Sequence, residues 1–441
     1  MARYPEELLV SAADWRALAA RADEAGLARA LLGLARSPGV RRALVAEILP
    51  AGMPLPAILA RCRAERMGLL ETYAQPDERA VAARLADLSA ASAATPLVVA
   101  AAQERRAWAL DRRAGRPATV ELRLLGRAFH DDPPAHGRGP VDAPIPPRLE
   151  RQVAALGQGG QRRLAGLSVA VVGCGGTGGL AAQLLALAGV GRLLLIDDDR
   201  IEQSNRNRLV AASEADAQRG ALKVAALRRH LRRLAPDVAV VAIPRLLYDA
   251  RSARAIQSAD LLLGCTDNEG SRLHMNALAV QYLLPYVDCG VGIERGADGL
   301  IAGGQVRVVV PGGPCLECYG GIDRWLAARD LSAGREQAHG YGLGGRPAPA
   351  LALLNAAIAA EAAASVVAIA TGLRPVWPFL AYDMVGARLA PREDATRSPA
   401  CPACAPGRRY GRGDSLPLPR PSEDDALPLP RRVAREVGQP E

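Results

Sequence analysis

Residues 168–179 read SVAVVGCGGTGG, and this stretch decides the fold. The run Ser168–Val172 has the length and apolar content of a buried strand, and glycines follow it at once. Gly173, Gly175 and Gly178 form a G-x-G-x-x-G loop, whose backbone can approach phosphate groups at the N-terminus of a helix. The stretch therefore predicts a strand–loop–helix unit that binds a phosphorylated ligand.

From residue 148 onward, strand-like runs alternate with helix-like runs, which is typical of a parallel sheet. The predicted strands are Ser168–Val172, Arg192–Ile196, Val238–Ile243, Asp260–Gly264, Tyr286–Asp288 and Gln305–Val310. The predicted helices are Gly176–Ala188, Gln218–Leu234, Gly270–Leu283 and Ala350–Ala370. We therefore expect an α/β fold with a Rossmann-like, mostly parallel sheet.

The chain of 441 residues is too long for a single core, so a second, smaller domain is expected. Residues 1–130 predict a small α/β module, 131–147 a linker, 148–405 the main domain and 406–441 a disordered tail. No signal peptide is expected, because charges interrupt each apolar run near Met1. The apolar stretch 348–373 contains Asn355 and Glu361, so we interpret it as a buried helix of a cytoplasmic protein and not as a membrane span.

The formal net charge is +9, yet Lys223 is the only lysine, so arginine supplies nearly all of the positive charge. The arginines are spread along the chain and are not interleaved with aromatic residues, so we do not expect nucleic-acid binding. A lysine that persists in such a composition indicates a need for a compact point charge in place of a planar guanidinium.

The residues after the second predicted strand distinguish two kinds of nucleotide site. Asp197 lies where a carboxylate can accept hydrogen bonds from ribose hydroxyls, as it would in a dinucleotide-binding oxidoreductase. Arg208 and Lys223 follow, and a dinucleotide site has no need for both cations. A triphosphate does need them when attack at the α-phosphorus expels pyrophosphate, because cations must stabilise the charge that develops.

Two further motifs suggest metal sites. In Cys265-Thr-Asp-Asn268, Asp267 follows a predicted strand and is expected either to hold Mg²⁺ or to cap the next helix. Two C-x-x-C pairs predict a four-thiolate structural zinc, with a redox pair as the alternative. The four cysteines are Cys315, Cys318, Cys401 and Cys404.

The motifs between Arg148 and Cys404, taken in their order along the chain, resemble those of the E1-like superfamily of adenylating enzymes. This superfamily includes the bacterial sulfur-carrier and molybdopterin activators. The resemblance rests on Arg148-x-x-Arg-Gln152, the glycine loop, Ser204-Asn205-x-x-Arg208, Gly220-x-x-Lys223, the Cys265–Asn268 motif and the paired C-x-x-C. It covers about 255 of the 441 residues.

The resemblance implies an ATP site with Asp267 at Mg²⁺ and Arg151 reaching the ATP of a partner subunit, hence a homodimer. It also implies that the substrate is the C-terminal glycine of a ubiquitin-like protein, which is adenylated and then transferred to a thiol, its own or that of an E2-like partner. The implied ATP-binding residues are Gly173, Gly175, Gly176, Gly178, Asp197, Asp199, Asn205, Arg208, Lys223, Asp267 and Asn268.

The stretch 340–350, which leads into the helix that carries Asn355, and the N-terminal extension resemble the enzymes of bacterial ubiquitin-like conjugation (antiphage) operons. The extension faintly resembles a JAB/MPN-type protease domain but lacks that family's metal motif, so an inactive scaffold is expected. No cysteine occurs between Tyr319 and Ala400, where many relatives carry the thioester-forming residue, which leaves Cys289 as the candidate nucleophile. Sulfur-carrier activation, peptide modification and an inactive E1-like scaffold remain alternatives.

Overall fold

The fold is taken from a computed structural model, which describes residues 4–37, 40–92, 95–125, 144–296, 299–332, 349–392 and 396–420. Most of the predicted linker (131–147) and the stretch 340–348 lie outside the described residues.

The main domain is built on an eight-stranded mixed sheet in the order β10-β9-β8-β11-β12-β13-β14-β15. Its parallel part comprises β8 (Ser168–Val172), β9 (Arg192–Ile196), β10 (Ala239–Ile243), β11 (Leu261–Gly264) and β12 (Tyr286–Gly296). The first two match the predicted bounds. All residues of β8 and β11 are buried, as expected for strands covered on both faces.

The antiparallel part of the sheet is larger than the sequence predicted. β12 and β13 (Gly299–Val309) form a long hairpin, and β14 (Phe379–Asp383) and β15 (Arg388–Arg392) extend it. The predicted strand Tyr286–Asp288 covers only the first part of β12. The hairpin carries glycines at 290, 292, 303 and 304, which weaken a strand pattern in the sequence.

Helices cover both faces of this sheet. One face carries α4 (Glu150–Gly166), α5 (Gly176–Leu187), α7 (Lys223–Leu234) and α11 (Ala352–Thr371), and α6 (Glu214–Gln218) precedes α7. The other face carries α8 (Ala250–Gln257), α9 (Glu269–Gln281) and α10 (Arg324–Ser332). Among the described residues, α11 alone is long and apolar enough to cross a membrane, and it packs on α5, β12 and β13.

The N-terminal module is a closed seven-stranded barrel with helices α1 (Ala12–Ala25), α2 (Leu55–Glu65) and α3 (Glu78–Ala91), in which β7 closes on β1. Its strands are β1 (Glu7–Ser11), β2 (Ala28–Ser37), β3 (Val40–Ile48), β4 (Gly68–Tyr73), β5 (Leu97–Ala101), β6 (Arg106–Asp111) and β7 (Arg116–Leu125). The composition suggested the α/β content, but barrel closure depends on pairing between β1 and β7, more than 100 residues apart.

The barrel contacts the main domain at the edge of the sheet where the parallel strands begin. Arg123 donates to Asp260 Oδ1 at 2.9 Å just before β11, and buried Arg42 donates to the carbonyl of Gln257 at the end of α8. The glycine loop follows the end of β8, at the opposite edge. The barrel therefore leaves the predicted nucleotide edge open.

The prediction that residues 406–441 form a disordered tail is wrong for residues 406–420. The amides of Gly411 and Gly413 donate to the carbonyls of Val280 and Gln281 in the main domain. Asp414 accepts a hydrogen bond from the amide of Arg36 in the barrel at 2.9 Å. This strap (residues 406–420) joins the two domains, and its Pro- and Arg-rich composition concealed these long-range contacts.

Candidate functional site

The glycine loop has the geometry of a phosphate-binding turn. Gly173 has φ +83°, and a Cβ there would lie 2.8 Å from the carbonyl oxygen of Cys265. A Cβ on Gly178 would lie 1.8 Å from the carbonyl oxygen of Gly173, so neither position admits a side chain. Gly175 caps α5 and has nothing within 4 Å of its Cβ position. The start of α5 is therefore open to an anionic group.

Asp197 lies at the end of β9 and holds the glycine loop in place. Its Oδ2 accepts the amide of Cys174 at 2.6 Å, and its Oδ1 accepts the amide of Asp199 at 2.8 Å. Burial, which disfavours the charged carboxylate, raises the pKa of Asp197 to about 6. Each oxygen keeps a second lone pair, so the carboxylate can still accept ribose hydroxyls.

Lys223, the first residue of α7, lies among three carboxylates. Its Nζ donates to Asp199 Oδ2 at 2.6 Å, and its side chain is 14% exposed. Burial alone would lower the pKa of Lys223, but Asp197, Asp199 and Asp267 together raise this pKa above its ordinary value. The ammonium is therefore charged and held close to the glycine loop, as a phosphate ligand must be.

The second cation is Arg208, and the 3-10 turn Gln203–Arg208 places it near the glycine loop. Buried Asn205 accepts the amide of Glu202 with its Oδ1 at 3.1 Å, and so stabilises this turn instead of facing solvent. Arg208 donates to the carbonyl of Ser204, and its Cγ is 3.2 Å from the position that a Cβ on Gly176 would take. The structure therefore brings Arg208 against the first turn of α5.

The sequence left open whether Asp267 holds Mg²⁺ or caps the following helix. Asn268 caps α9, because its Oδ1 accepts the amide of Ser271 at 2.7 Å, so Asp267 is not the helix cap. Burial and the neighbouring Asp199 and Asp197 together raise the pKa of Asp267 to about 6, although Lys223 opposes this shift. The Asp267 carboxylate is therefore not used to cap a helix, and it lies close to Lys223, Asp197 and Asp199.

A divalent cation would find suitable ligands at this edge of the sheet. Asp197, Asp198 and Asp199 each offer a carboxylate oxygen, and these oxygens lie within 4.8 Å of one another. Together with Asp267 they form the oxygen-rich environment that Mg²⁺ prefers alongside phosphate oxygens. Asp198 was not predicted as a site residue, although its neighbours Asp197 and Asp199 were.

The sequence also missed Asn355 as a site residue. It is buried in α11, and a Cβ on Gly176 would lie 2.2 Å from its Nδ2. The rarity of asparagine in this chain was the available signal, since only five occur.

Arg151 is exposed and lies far from the glycine loop of its own chain. Its neighbours Arg148 and Gln152 donate to the carbonyls of Leu187 and Ala188 at the C-terminal end of α5. Helix α5 has 12 residues, about 18 Å at 1.5 Å per residue, and the glycine loop is at its other end. Arg151 can therefore serve an ATP site only if that site belongs to another subunit.

Cys289 lies near the nucleotide edge but is enclosed. It is 1% exposed, its sulfur is 3.3 Å from that of Cys265, and it lies 3.4 Å from the carbonyl of Gly264. These contacts are those of a packed thiol, and a nucleophilic role for Cys289 stays a prediction.

The four cysteines of the C-x-x-C pairs converge although 82 residues separate Cys318 from Cys401. Their sulfurs lie within 4.8 Å of one another, with 3.6 Å between Cys315 and Cys401 and 3.4 Å between Cys318 and Cys404. Four thiolates around a tetrahedral zinc at about 2.3 Å would be separated by about 3.8 Å. The cluster therefore fits zinc, which would tie the loop after β13 to the segment that precedes the strap.

These features define a nucleotide-binding α/β domain with two cations and a carboxylate cluster at the phosphate end. Residues 149–403, more than half of the chain, match the model of the ThiF family. The chain therefore belongs to the ThiF family, and the predicted membership of the E1-like superfamily is confirmed.

Curated relatives match part of the chain. The adenylyltransferase and sulfurtransferase MOCS3 of Mus musculus is 36% identical over 241 residues, which are 51% of this chain and 49% of the relative. The molybdopterin-synthase adenylyltransferase of Escherichia coli is 37% identical over 175 residues, which are 39% of this chain and 66% of the relative. The matched region spans about 40–60% of the length of the first relatives.

Among solved structures, that of E. coli MccB with ATP is similar, at 24% identity and a TM-score of 0.48 over 59% of this chain and 75% of that one.

Proposed function

We propose that the protein is an ATP- and Mg²⁺-dependent adenylyltransferase that activates the C-terminal carboxylate of a ubiquitin-like protein. The observation that carries this proposal is Lys223, held among Asp197, Asp199 and Asp267 beside a glycine loop that Arg208 also contacts. Relatives with this architecture have names that include adenylyltransferase, one of them for a sulfur carrier protein.

The chain's own groups would act by positioning and by charge stabilisation. The amides at the start of α5 and the Asp197 carboxylate would bind the phosphates and the ribose. A substrate carboxylate oxygen attacks the α-phosphorus, the bond to the bridging oxygen breaks, and pyrophosphate leaves with the electron pair. Lys223 and Arg208 would stabilise the negative charge that develops on this leaving group.

Asp267 and the carboxylates of Asp198 and Asp199 would hold Mg²⁺, which neutralises phosphate charge when it is bound. The thiol cluster would hold a structural zinc.

A homodimer would complete each site, because Arg151 is exposed and lies at the opposite end of α5 from its own glycine loop. An arginine from the second subunit would add one positive charge at the phosphates, where two cations of the first subunit already lie.

The activated carboxylate would pass to a thiol on an E2-like partner. The enclosed sulfur of Cys289 and the lack of any cysteine between residues 319 and 400 favour transfer to another protein. A sulfur-carrier substrate is the second candidate, favoured by the printed names of the relatives.

Exchange of labelled pyrophosphate into ATP tests the proposal. The full chain is mixed with a purified ubiquitin-like protein that ends in glycine, or with the same protein blocked at its terminus as an amide. We expect exchange only with the free terminus and a loss of exchange in Asp267→Asn. Equal exchange with the blocked protein would refute adenylation of the terminus, and exchange with a sulfur carrier alone would favour the second candidate.

A further inference from the structure

A cavity of about 440 Å³ lies on the outer side of α7, apart from the nucleotide edge. Its walls are the loop Val210–Ser213, helix α6 and the later turns of α7. The polar side chains that line it are Ser213, Asp216, Arg219, Arg229, His230 and Arg233. Three arginines thus share one concave surface with a single carboxylate.

That carboxylate is fully occupied and positions two of the arginines. Asp216 is completely buried, and its Oδ2 accepts the hydroxyl of Ser213 at 2.6 Å and Arg229 at 2.7 Å. Its Oδ1 accepts a guanidinium hydrogen of Arg219. Each guanidinium has five N–H donors, so both keep donors for a further acceptor. Because Asp216 already orients these side chains, a ligand would order them at a lower entropic cost.

The positive charge of the cavity is not balanced. Arg233 is exposed and makes no ion pair with the described residues. The Nε2 of His230 is hydrogen-bonded to Oε1 of Gln183 at 2.7 Å. The three arginines and Asp216 give the cavity a charge of +2, counted as 3 minus 1 with neutral His230. On the adjacent face of α7, burial and the nearby Arg232 lower the pKa of Arg228, as expected where like charges crowd together.

The elements that form the cavity also carry the two cations of the nucleotide site or follow them closely in the chain. Its loop begins two residues after Arg208, and its helix begins with Lys223. Arg229 is six residues beyond Lys223, about 9 Å along the helix axis, and Asp216 holds it while Asp199 holds Lys223. The cavity is therefore a separate site, connected to Arg208 and Lys223 through rigid elements.

We propose that this cavity is a second oxyanion site that takes pyrophosphate. Arginine forks match the paired oxygens of phosphate groups, and the apolar wall consists only of Val210, Ala211 and Ala212, which is too small to favour a base or an aromatic ring. The choice of pyrophosphate among compact oxyanions rests on the proposed function, because that reaction releases it beside Arg208 and Lys223.

Calorimetric titration of pyrophosphate tests the site while a non-hydrolysable ATP analogue fills the nucleotide site. The full chain is compared with Arg233→Gln and with Arg232→Gln, a matched control that removes the same charge from a residue of α7 outside the cavity. We expect one pyrophosphate per chain, bound about tenfold more weakly by Arg233→Gln, since one charge-assisted hydrogen bond is lost. The control should bind within twofold of the parent, and all three should bind the analogue equally.

Several outcomes would overturn this assignment. Among them are no binding once the analogue is present, equal weakening by Arg232→Gln, and equal competition by sulfate, which would mean an adventitious ion only. A changed molecular mass of Arg233→Gln in light scattering would show that the cavity is instead a contact between two copies of the chain. None of these readouts needs a protein substrate, so failure here is distinguishable from failure of the proposed adenylation.

Discussion

Replacement of Lys223 by methionine removes one positive charge from the centre of the site and shortens the unbranched side chain by one heavy atom. The Lys223 side chain is 14% exposed and its ammonium contacts Asp199 Oδ2 at 2.6 Å, so the solvent screens the charge only in part. Loss of one pre-positioned donor to developing charge typically costs about 3–4 kcal/mol, or about 10²–10³ in rate. We therefore expect pyrophosphate exchange to fall by about that factor.

Stability should change much less than activity. Asp199 is partly exposed and can be solvated after the substitution. Asp197 and Asp267, whose pKa values already lie near 6, can take up a proton instead of staying as unpaired buried charges. The assay is exchange at saturating ATP, with a thermal melt of the same sample. A loss of exchange below about fivefold in a folded variant would refute the assigned role of Lys223.

Four further outcomes follow from the structure. Because the pKa of Asp267 is raised to about 6 and a bound cation favours its charged form, Mg·ATP should release protons near pH 6 but not at pH 8. Calorimetry in buffers of different ionisation enthalpy would detect this, and equal heats at pH 6 would contradict it. Mixing Arg151→Ala with Lys223→Met should restore part of the exchange if each site uses an arginine of its partner, and no restoration would argue against that. Zinc analysis should find about one ion per chain and less in Cys401→Ser, whose circular dichroism would check folding; an unchanged content would exclude the thiol cluster. Gly33→Val should loosen the strap, because a Cβ there would lie 1.8 Å from the carbonyl oxygen of Gly411, and faster proteolysis near residue 406 would show it.

The sequence predicted the elements that local patterns specify. The strands β8 and β9 are mostly apolar runs followed by glycine or aspartate, and their predicted bounds match the structure. The glycine loop was recognisable from the spacing of its glycines. The structure gives the reason for two of them, because a side chain at Gly173 or Gly178 would clash with backbone atoms. Lys223 and Arg208 stood out by residue type, and the structure brings both to this loop.

The parts that depend on distant pairing were not predictable in the same way. Closure of the barrel, the pairing of β14 with β13, and the strap each arise from contacts between segments far apart in sequence. The choice between Asp267 and Asn268 as helix cap depends on side-chain geometry that two adjacent polar residues do not reveal. A folded strap could not be inferred from a Pro- and Arg-rich composition.

Intact-mass analysis of a ubiquitin-like protein incubated with the enzyme, ATP and Mg²⁺ tests the central claim most directly. A species heavier by one adenylate group should form with the parent enzyme, disappear when the C-terminal glycine is blocked, and be strongly reduced with Lys223→Met. Absence of that species, with every candidate protein and with an enzyme shown to bind ATP, would contradict the account.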